Sequence, residues 1–240
     1  MSTTTGPSWP TQITLPGQTA AHPGPVDMTM MYVMHHAFRR DLTAFAAAAA
    51  STPVADRTSW QALAERWGVF SQCLHHHHSG EDAGIWPLLM GRADAAQRET
   101  LEAMEGEHAE IDPILTACAA GFTRLAEHAD EDARAALAVR LAAARESLGR
   151  HLRHEETDAI RIIQEHMTNA EWHALDEEYF KQGVSFRQVL AIVPWILHGL
   201  PVEARESLFT GPGGRLHRVL WLATKGQFDR REKVAFRYVS

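Results

Sequence analysis

HHHHSGEDAGIWPLL, residues 75–89, and HLRHEETDAI, residues 151–160, decide the fold. Each sets a Glu four residues after a His, Glu81 after His77 and Glu155 after His151, and residues four apart share one face of a helix. Followed outward, both faces are apolar. The first runs Trp60, Leu63, Trp67, Phe70, Leu74, His77, Glu81, Ile85 and Leu88; the second runs Leu137, Leu141, Ala144, Leu148, His151, Glu155 and Ile162. Two more stripes carry one His each. They are Met28, Met31, His35, Phe38, Leu42, Phe45 and Leu101, Met104, His108, Ile111, Leu115, Cys118, Phe122, Leu125. Steps of three and four mark helices that bury one side against a shared interior. Of the four consecutive histidines only His77 keeps its stripe's spacing, so His75, His76 and His78 are expected in solvent or behind the ligands. A register slip would instead promote His78 with Asp82.

Breaks near Ser51–Asp56, Gly91–Asp94 and His128–Asp132 separate four long helical segments. Short connections make neighbours antiparallel, so residues 27–167 are predicted to form an up-down-up-down four-helix bundle, all-α, without sheet. His77 and His108 lie about 15 residues either side of the Gly91–Asp94 turn, which at a rise of ~1.5 Å per residue puts them at one height. Residues 1–26, with five prolines and no periodicity, are expected to be a mobile leader. From Thr168 the composition changes. Asn169 is expected to cap a short amphipathic piece, and apolar then apolar–basic segments follow as a helical C-terminal extension over 168–240. Residues 1–167 carry 13 basic and 22 acidic side chains, whereas 168–240 carry 10 and 8.

With 240 residues and 45% hydrophobic side chains the chain can bury a real core, which excludes wholesale disorder. No apolar run is long enough for a membrane span. The N-terminus lacks the basic start and apolar segment of a secretory signal. Cys73 and Cys118 are too few for a disulfide framework, and with these absences they suit a cytoplasmic location. A net charge of −7 gives no reason to expect nucleic acid; the basic tail reads as a solvated face, with an acidic partner as the alternative. Fifteen histidines against three tyrosines ask for a metal. A buried carboxylate costs several kcal/mol unless it is paired or metal-bound, and no Lys or Arg lies on the four stripes. Four imidazoles and two carboxylates converging from four helices suffice for two metals with bridging carboxylates. Donor type alone suits Fe, Mn and Zn.

At these residues, with HHAFRRDL at 35–42 and EGEHAEID at 105–112 completing the order, the sequence resembles the hemerythrin-like (HHE cation-binding) family, and its C-terminal stretch resembles that of actinobacterial members. The resemblance implies a non-haem diiron centre with oxo- or hydroxo-bridged irons. Glu81 and Glu155 would bridge them ~3.5–4 Å apart, with His35 and His77 on one iron and His108 and His151 on the other. It implies binding or turnover of O2, hydrogen peroxide or nitric oxide, including a peroxidase- or catalase-like activity. The alternative is an iron-storage or iron-sensing module whose extension contacts a protein partner. Oxygen-carrying relatives have a second His four residues after the third-helix His. Asp112 stands there instead, as a ligand, an acceptor behind one, or a surface acid. A site so depleted in nitrogen would favour peroxide or NO over reversible O2 carriage. Tyr32, one turn before His35, is a candidate donor to a bound oxygen species or an ordinary packing residue. Glu156 is expected to be a solvated neighbour of Glu155.

Overall fold

The computed structural model describes residues 9–211 and 213–239. Four long helical rods build the body. The first is α1 (Thr29–Ser51). The second is α2 (Arg57–Gly80), continued without a break by a π-helical turn, π1 (Glu81–Ile85), and by α3 (Trp86–Met90). The third is α4 (Ala95–Glu127). The fourth is α5 (Glu131–His154), continued by π2 (Glu155–Ala159) and α6 (Ile160–His166). In cross-section α1 packs on α2 and α5, while α4 packs on α2 and α5, so the four rods enclose one interior.

The sequence breaks become caps. Asp56 accepts from the Ser59 backbone at the start of α2, and Asp130 accepts from Ala133 at the start of α5. Asp94 and Gln97 form a reciprocal capping box on α4. Each cap satisfies a backbone N–H that helix geometry leaves unpaired.

Residues 9–26 are not a free leader. They form a strap across α1 and π2–α6, held by side chains that substitute for regular structure. Gln164 accepts from the Val26 N–H at 3.0 Å and donates to the Val26 carbonyl at 2.9 Å, and Gln12 donates to the same carbonyl. Leu15 and Val26 are buried. The Thr19 N–H donates to Glu156 Oε2 at 2.7 Å. The composition is that of a loop, and specific polar anchors fix the loop. Residues 1–8 lie outside the described residues.

Beyond the bundle come α7 (Asn169–Leu175), π3 (Asp176–Lys181), α8 (Phe186–Leu197), α9 (Val202–Thr210) and α10 (Gly214–Ala235). Thr168, not Asn169, caps α7, through a capping box with Glu171. α8 lies on α1 and α10 lies on α2. A buried charge cluster fastens this joint: Asp41 accepts from Arg66 at 2.8 Å, from Arg40 at 2.7 Å and from the Trp195 indole at 2.7 Å, and Arg66 reaches Glu232 of α10 at 2.5 Å. Burial alone would raise the Asp41 pKa, but the two guanidinium groups hold it below the usual carboxylate range. Among the described residues no helix is long and apolar enough to cross a membrane.

Candidate metal centre

The interior is apolar over most of its length and then turns polar in one layer. His35 comes from α1, His77 and Glu81 from α2 and π1, and Glu155 from π2; one donor atom from each lies within 4.8 Å of the others. Beside this group sit His78 from α2, His108 from α4 and His151 from α5, gathered within the same distance. All seven side chains are buried.

The two carboxylates join the groups. Glu81 Oε1 lies 3.1 Å from His77 Nε2, and Glu81 Oε2 lies 3.6 Å from His108 Nε2. Glu155 Oε2 lies 3.2 Å from His35 Nε2 and 3.8 Å from His151 Nε2. Each Glu therefore touches one histidine from each group. Both begin a π-helical turn. Such single-turn expansions insert a residue into the helix and are frequent at functional sites.

Second contacts fix which way each imidazole faces. His35 Nδ1 meets Glu156 Oε1 at 3.0 Å, His108 Nδ1 meets Asp82 Oδ1 at 2.8 Å, and His151 Nδ1 meets Glu107 Oε2 at 2.8 Å. An ionised carboxylate can only accept, so Nδ1 carries the proton in each ring and Nε2 turns a lone pair inward. Arg39 holds Glu156 through two parallel bonds of 2.7 and 2.9 Å, and His154 donates to Glu107 at 2.9 Å.

This arrangement tests whether the residues fit a metal. His108 Nε2 and His151 Nε2 face one another at 3.2 Å, lone pair against lone pair. His35 Nε2, His77 Nε2 and both oxygens of Glu81 and of Glu155 are buried without a hydrogen-bond partner, as are both ring nitrogens of His78. Buried polar atoms are nearly always paired, and each unpaired one costs about 1–3 kcal/mol. Acceptors crowded this way repel unless a cation lies among them. Two ligands at right angles on a metal with bonds of 2.0–2.2 Å stand about 3 Å apart, the spacing of the shorter contacts here. The donor set fits a pair of metal ions.

Electrostatics agree. Burial, then the charges of Glu155 and Asp82, push the Glu81 pKa well above its ordinary value. Burial would raise Glu155 too, but His35, His151 and His77 face it and draw it down. Burial would depress His35, and the Glu155 and Glu156 carboxylates override it and lift its pKa to about 9. Burial and the neighbouring imidazoles keep His77 and His78 neutral, far below the usual histidine value.

Of the residues anticipated from sequence, His35, His77, Glu81, His108, His151 and Glu155 share this layer. Asp112 does not. It is exposed on the outer side of α4, because Ile111, three residues after His108, takes the inward position. His78 comes instead from across the bundle and stacks on His108 with ring centroids 3.8 Å apart. The expected poverty in nitrogen is therefore corrected: His78, His108 and His151 put three imidazoles together. Glu156 is buried between His35 and Arg39 rather than solvated. Tyr32 is buried with its hydroxyl making no hydrogen bond of good geometry; burial and the charges of Glu156 and Glu155 push its pKa well up.

Sequence reading held His78 and Asp82 only as the register-slip alternative, took Glu156 for a solvated neighbour, and passed over Glu107. The signal for the first two was the second four-residue step, His78 to Asp82, on an adjoining helix face. The wall over His77 comes from the extension: His76 Nε2 donates to the Phe180 carbonyl at 2.8 Å, and the Phe180 ring stands 6.4 Å from that of His77. Gly80 and Gly84 make room for it, since a Cβ would lie 2.6 Å from the Phe180 ring and 2.7 Å from that of Tyr179.

The family model of the hemerythrin HHE cation binding domain matches residues 27–178. Comparison with curated proteins and with solved structures gives no match.

Proposed function

We propose, for a chain that belongs to the hemerythrin HHE cation-binding family, that the layer of buried histidines and glutamates holds two iron ions and binds or turns over O2, hydrogen peroxide or nitric oxide. The observation that carries this reading is the set of inward-facing donors left without hydrogen-bond partners, bridged by Glu81 and Glu155. His35 and His77 would ligate one ion, and His108, His151 and His78 the other. When bound, the irons supply one-electron redox chemistry and an open position for a small oxidant. Asp82, Glu107 and Glu156 keep the imidazole Nε2 atoms aimed inward. Phe38 and Phe180 exclude water from the His77 side. Tyr32, buried one turn before His35, is the candidate hydrogen-bond donor to that oxidant.

The buried, unpaired Cys73 and Cys118 suit a reducing, cytoplasmic setting. With three imidazoles gathered beside Glu81, reversible O2 binding stands level with peroxide or NO chemistry. Metal analysis of the purified protein, with absorption spectra before and after hydrogen peroxide, tests the proposal. Two irons per chain and new near-ultraviolet bands are expected. A single zinc would overturn it. Iron without spectral change, joined to a large loss of stability on chelation, would favour iron storage or sensing instead.

A further inference from the structure

A second polar feature lies outside the metal layer. Between α1, α5 and the strap is a cavity of about 310 Å³, floored by Leu42, Leu148 and Leu152 and rimmed by Arg39, Arg145 and Arg153. Thr19 closes the strap side. Among the described residues no acidic side chain lines it. Small-ligand sites combine an apolar wall with a few convergent polar groups, and this volume is at the lower end of their range.

The charge balance is unusual for this chain. Among the described residues, every other arginine between residues 27 and 167 meets an acid or a backbone carbonyl. Arg145 and Arg153 meet neither, though the bundle carries far more acids than bases. Their positions three and four residues away on α5 and π2 hold Leu141, Ala142, Leu148, Gly149, Arg150, Glu156 and Thr157. The single acid among them, Glu156, is turned away onto Arg39 and His35. Arg39 uses two of its five N–H groups on Glu156 and keeps the rest. Three guanidinium groups against one carboxylate leave two positive charges at the mouth. Midway between Arg145 and Arg153 stands Gly149, at which an added Cβ would meet nothing within 4 Å. A glycine inside a helix costs roughly 0.5–1 kcal/mol relative to Ala, and this one lines the cavity between the two arginines.

We propose that this cavity binds a small phosphate monoester, its phosphoryl oxygens on Arg39, Arg145 and Arg153 and its organic group on the leucine floor. A phosphate monoester carries about −1.5 to −2 charge near neutral pH, which matches the two uncompensated positive charges, and the planar guanidinium fork suits phosphoryl oxygens.

Calorimetric titration of the full-length protein with phenyl phosphate, inorganic phosphate and phenol tests the site. Phenyl phosphate is expected to saturate one site per chain, inorganic phosphate to bind more weakly, and phenol not at all. Gly149→Glu sets a carboxylate four residues from both Arg145 and Arg153 and raises helix propensity, so the variant keeps or gains thermal stability. Its affinity for phenyl phosphate should fall at least about tenfold, as should that of Arg145→Gln/Arg153→Gln. Arg39 is left intact because it also holds Glu156. Absence of saturable binding in the wild type overturns the site. So does phenol binding as well as phenyl phosphate does. Phosphate binding that survives in both variants means an adventitious ion only.

Discussion

Phe45 and Glu81 are both fully buried in one bundle interior, yet they sit in regions of opposite chemistry. Around Phe45 the rings of Trp67, Phe70 and Phe122 pack with centroids 5.1–5.8 Å away, with Trp60 beyond them. Around Glu81 there are imidazoles, a second carboxylate and inward-facing atoms that bond to nothing. Phe38 marks the boundary, 5.9 Å from the Phe70 ring and 5.3 Å from that of His77. The aromatic end needs no ion, since its rings pack on one another and only the Trp67 indole N–H among them is left without a partner. The histidine end is complete only with cations. One sequence pattern, apolar residues at steps of three and four, builds both ends. Single substitutions on that pattern turn a self-sufficient core into a dependent one.

The largest expected effects test the self-sufficient parts. Trp67→Ala should cost about 3–5 kcal/mol of unfolding free energy, by the same amount with metal bound and after chelation, measured by urea titration. A loss that depended on metal would break the separation of the two ends. Asp41→Ala should cost a similar ~3–5 kcal/mol at pH 7, because it leaves Arg66 and Arg40 charged beside the buried Trp195. The Asp41 pKa is lowered on folding, so its contribution is complete above the unfolded value near ~3.9 and is lost as pH falls through the lower folded value. The gap between wild type and variant should therefore narrow in strong acid. A constant gap from pH 7 to pH 2 would refute the ion-pair account of the joint.

These two regions were not equally legible in the sequence. The aromatic stripes announced themselves, because burying an apolar ring needs only the right period. His35, His77, His108 and His151 were legible for the same reason: each occupies a place in such a stripe. His78 was legible only as the product of a register slip, because a strict period admits one of two consecutive residues. Packing admits both, with His77 against Glu81 and His78 stacked on His108. Asp112 attracted attention because it stands where oxygen-carrying relatives have a second His, and Ile111 won the inward position by burying an apolar side chain where a carboxylate would have needed a partner. The strap could not be read at all. Its anchors, Gln12, Gln18 and Gln164, are hydrogen bonds between residues distant in sequence or within irregular backbone, and no periodicity encodes them. The docking of 168–240 was likewise unreadable, since it depends on Asp41 meeting Arg66 and Trp195 from three helices.

Substitutions at the polar end should act with the opposite sign. Glu81→Leu should abolish metal binding while raising the stability of the metal-free protein by about 1–4 kcal/mol, since an apolar group replaces a buried acid that has no partner. Metal analysis and urea unfolding of the same preparation check both halves. A metal-free variant less stable than metal-free wild type would show that the histidine layer is self-sufficient after all. His78→Ala should lower metal content, whereas Asp112→Ala should leave it unchanged and alter stability by no more than about 0.5 kcal/mol. The reverse outcome would return the missing ligand to α4.

A kinetic effect, with metal content unchanged, probes the wall between the metal layer and the extension. Gly80→Ala forces a Cβ into space held by the Phe180 ring, 2.6 Å away, so either the ring or the backbone of π3 must shift. Overpacking of this kind costs roughly 1–3 kcal/mol, and here the strain falls on an element whose backbone is tied to the bundle through His76. Moving Phe180 outward uncovers the side of His77 that faces the extension. The rate at which a chelator strips metal from the loaded protein should then rise, while metal content at equilibrium stays the same. Gly106→Ala is the matched control, because a Cβ there meets nothing within 4 Å and lies on the exposed face of α4. Equal stripping rates in both variants would mean that metal leaves the bundle by a route that does not pass Phe180.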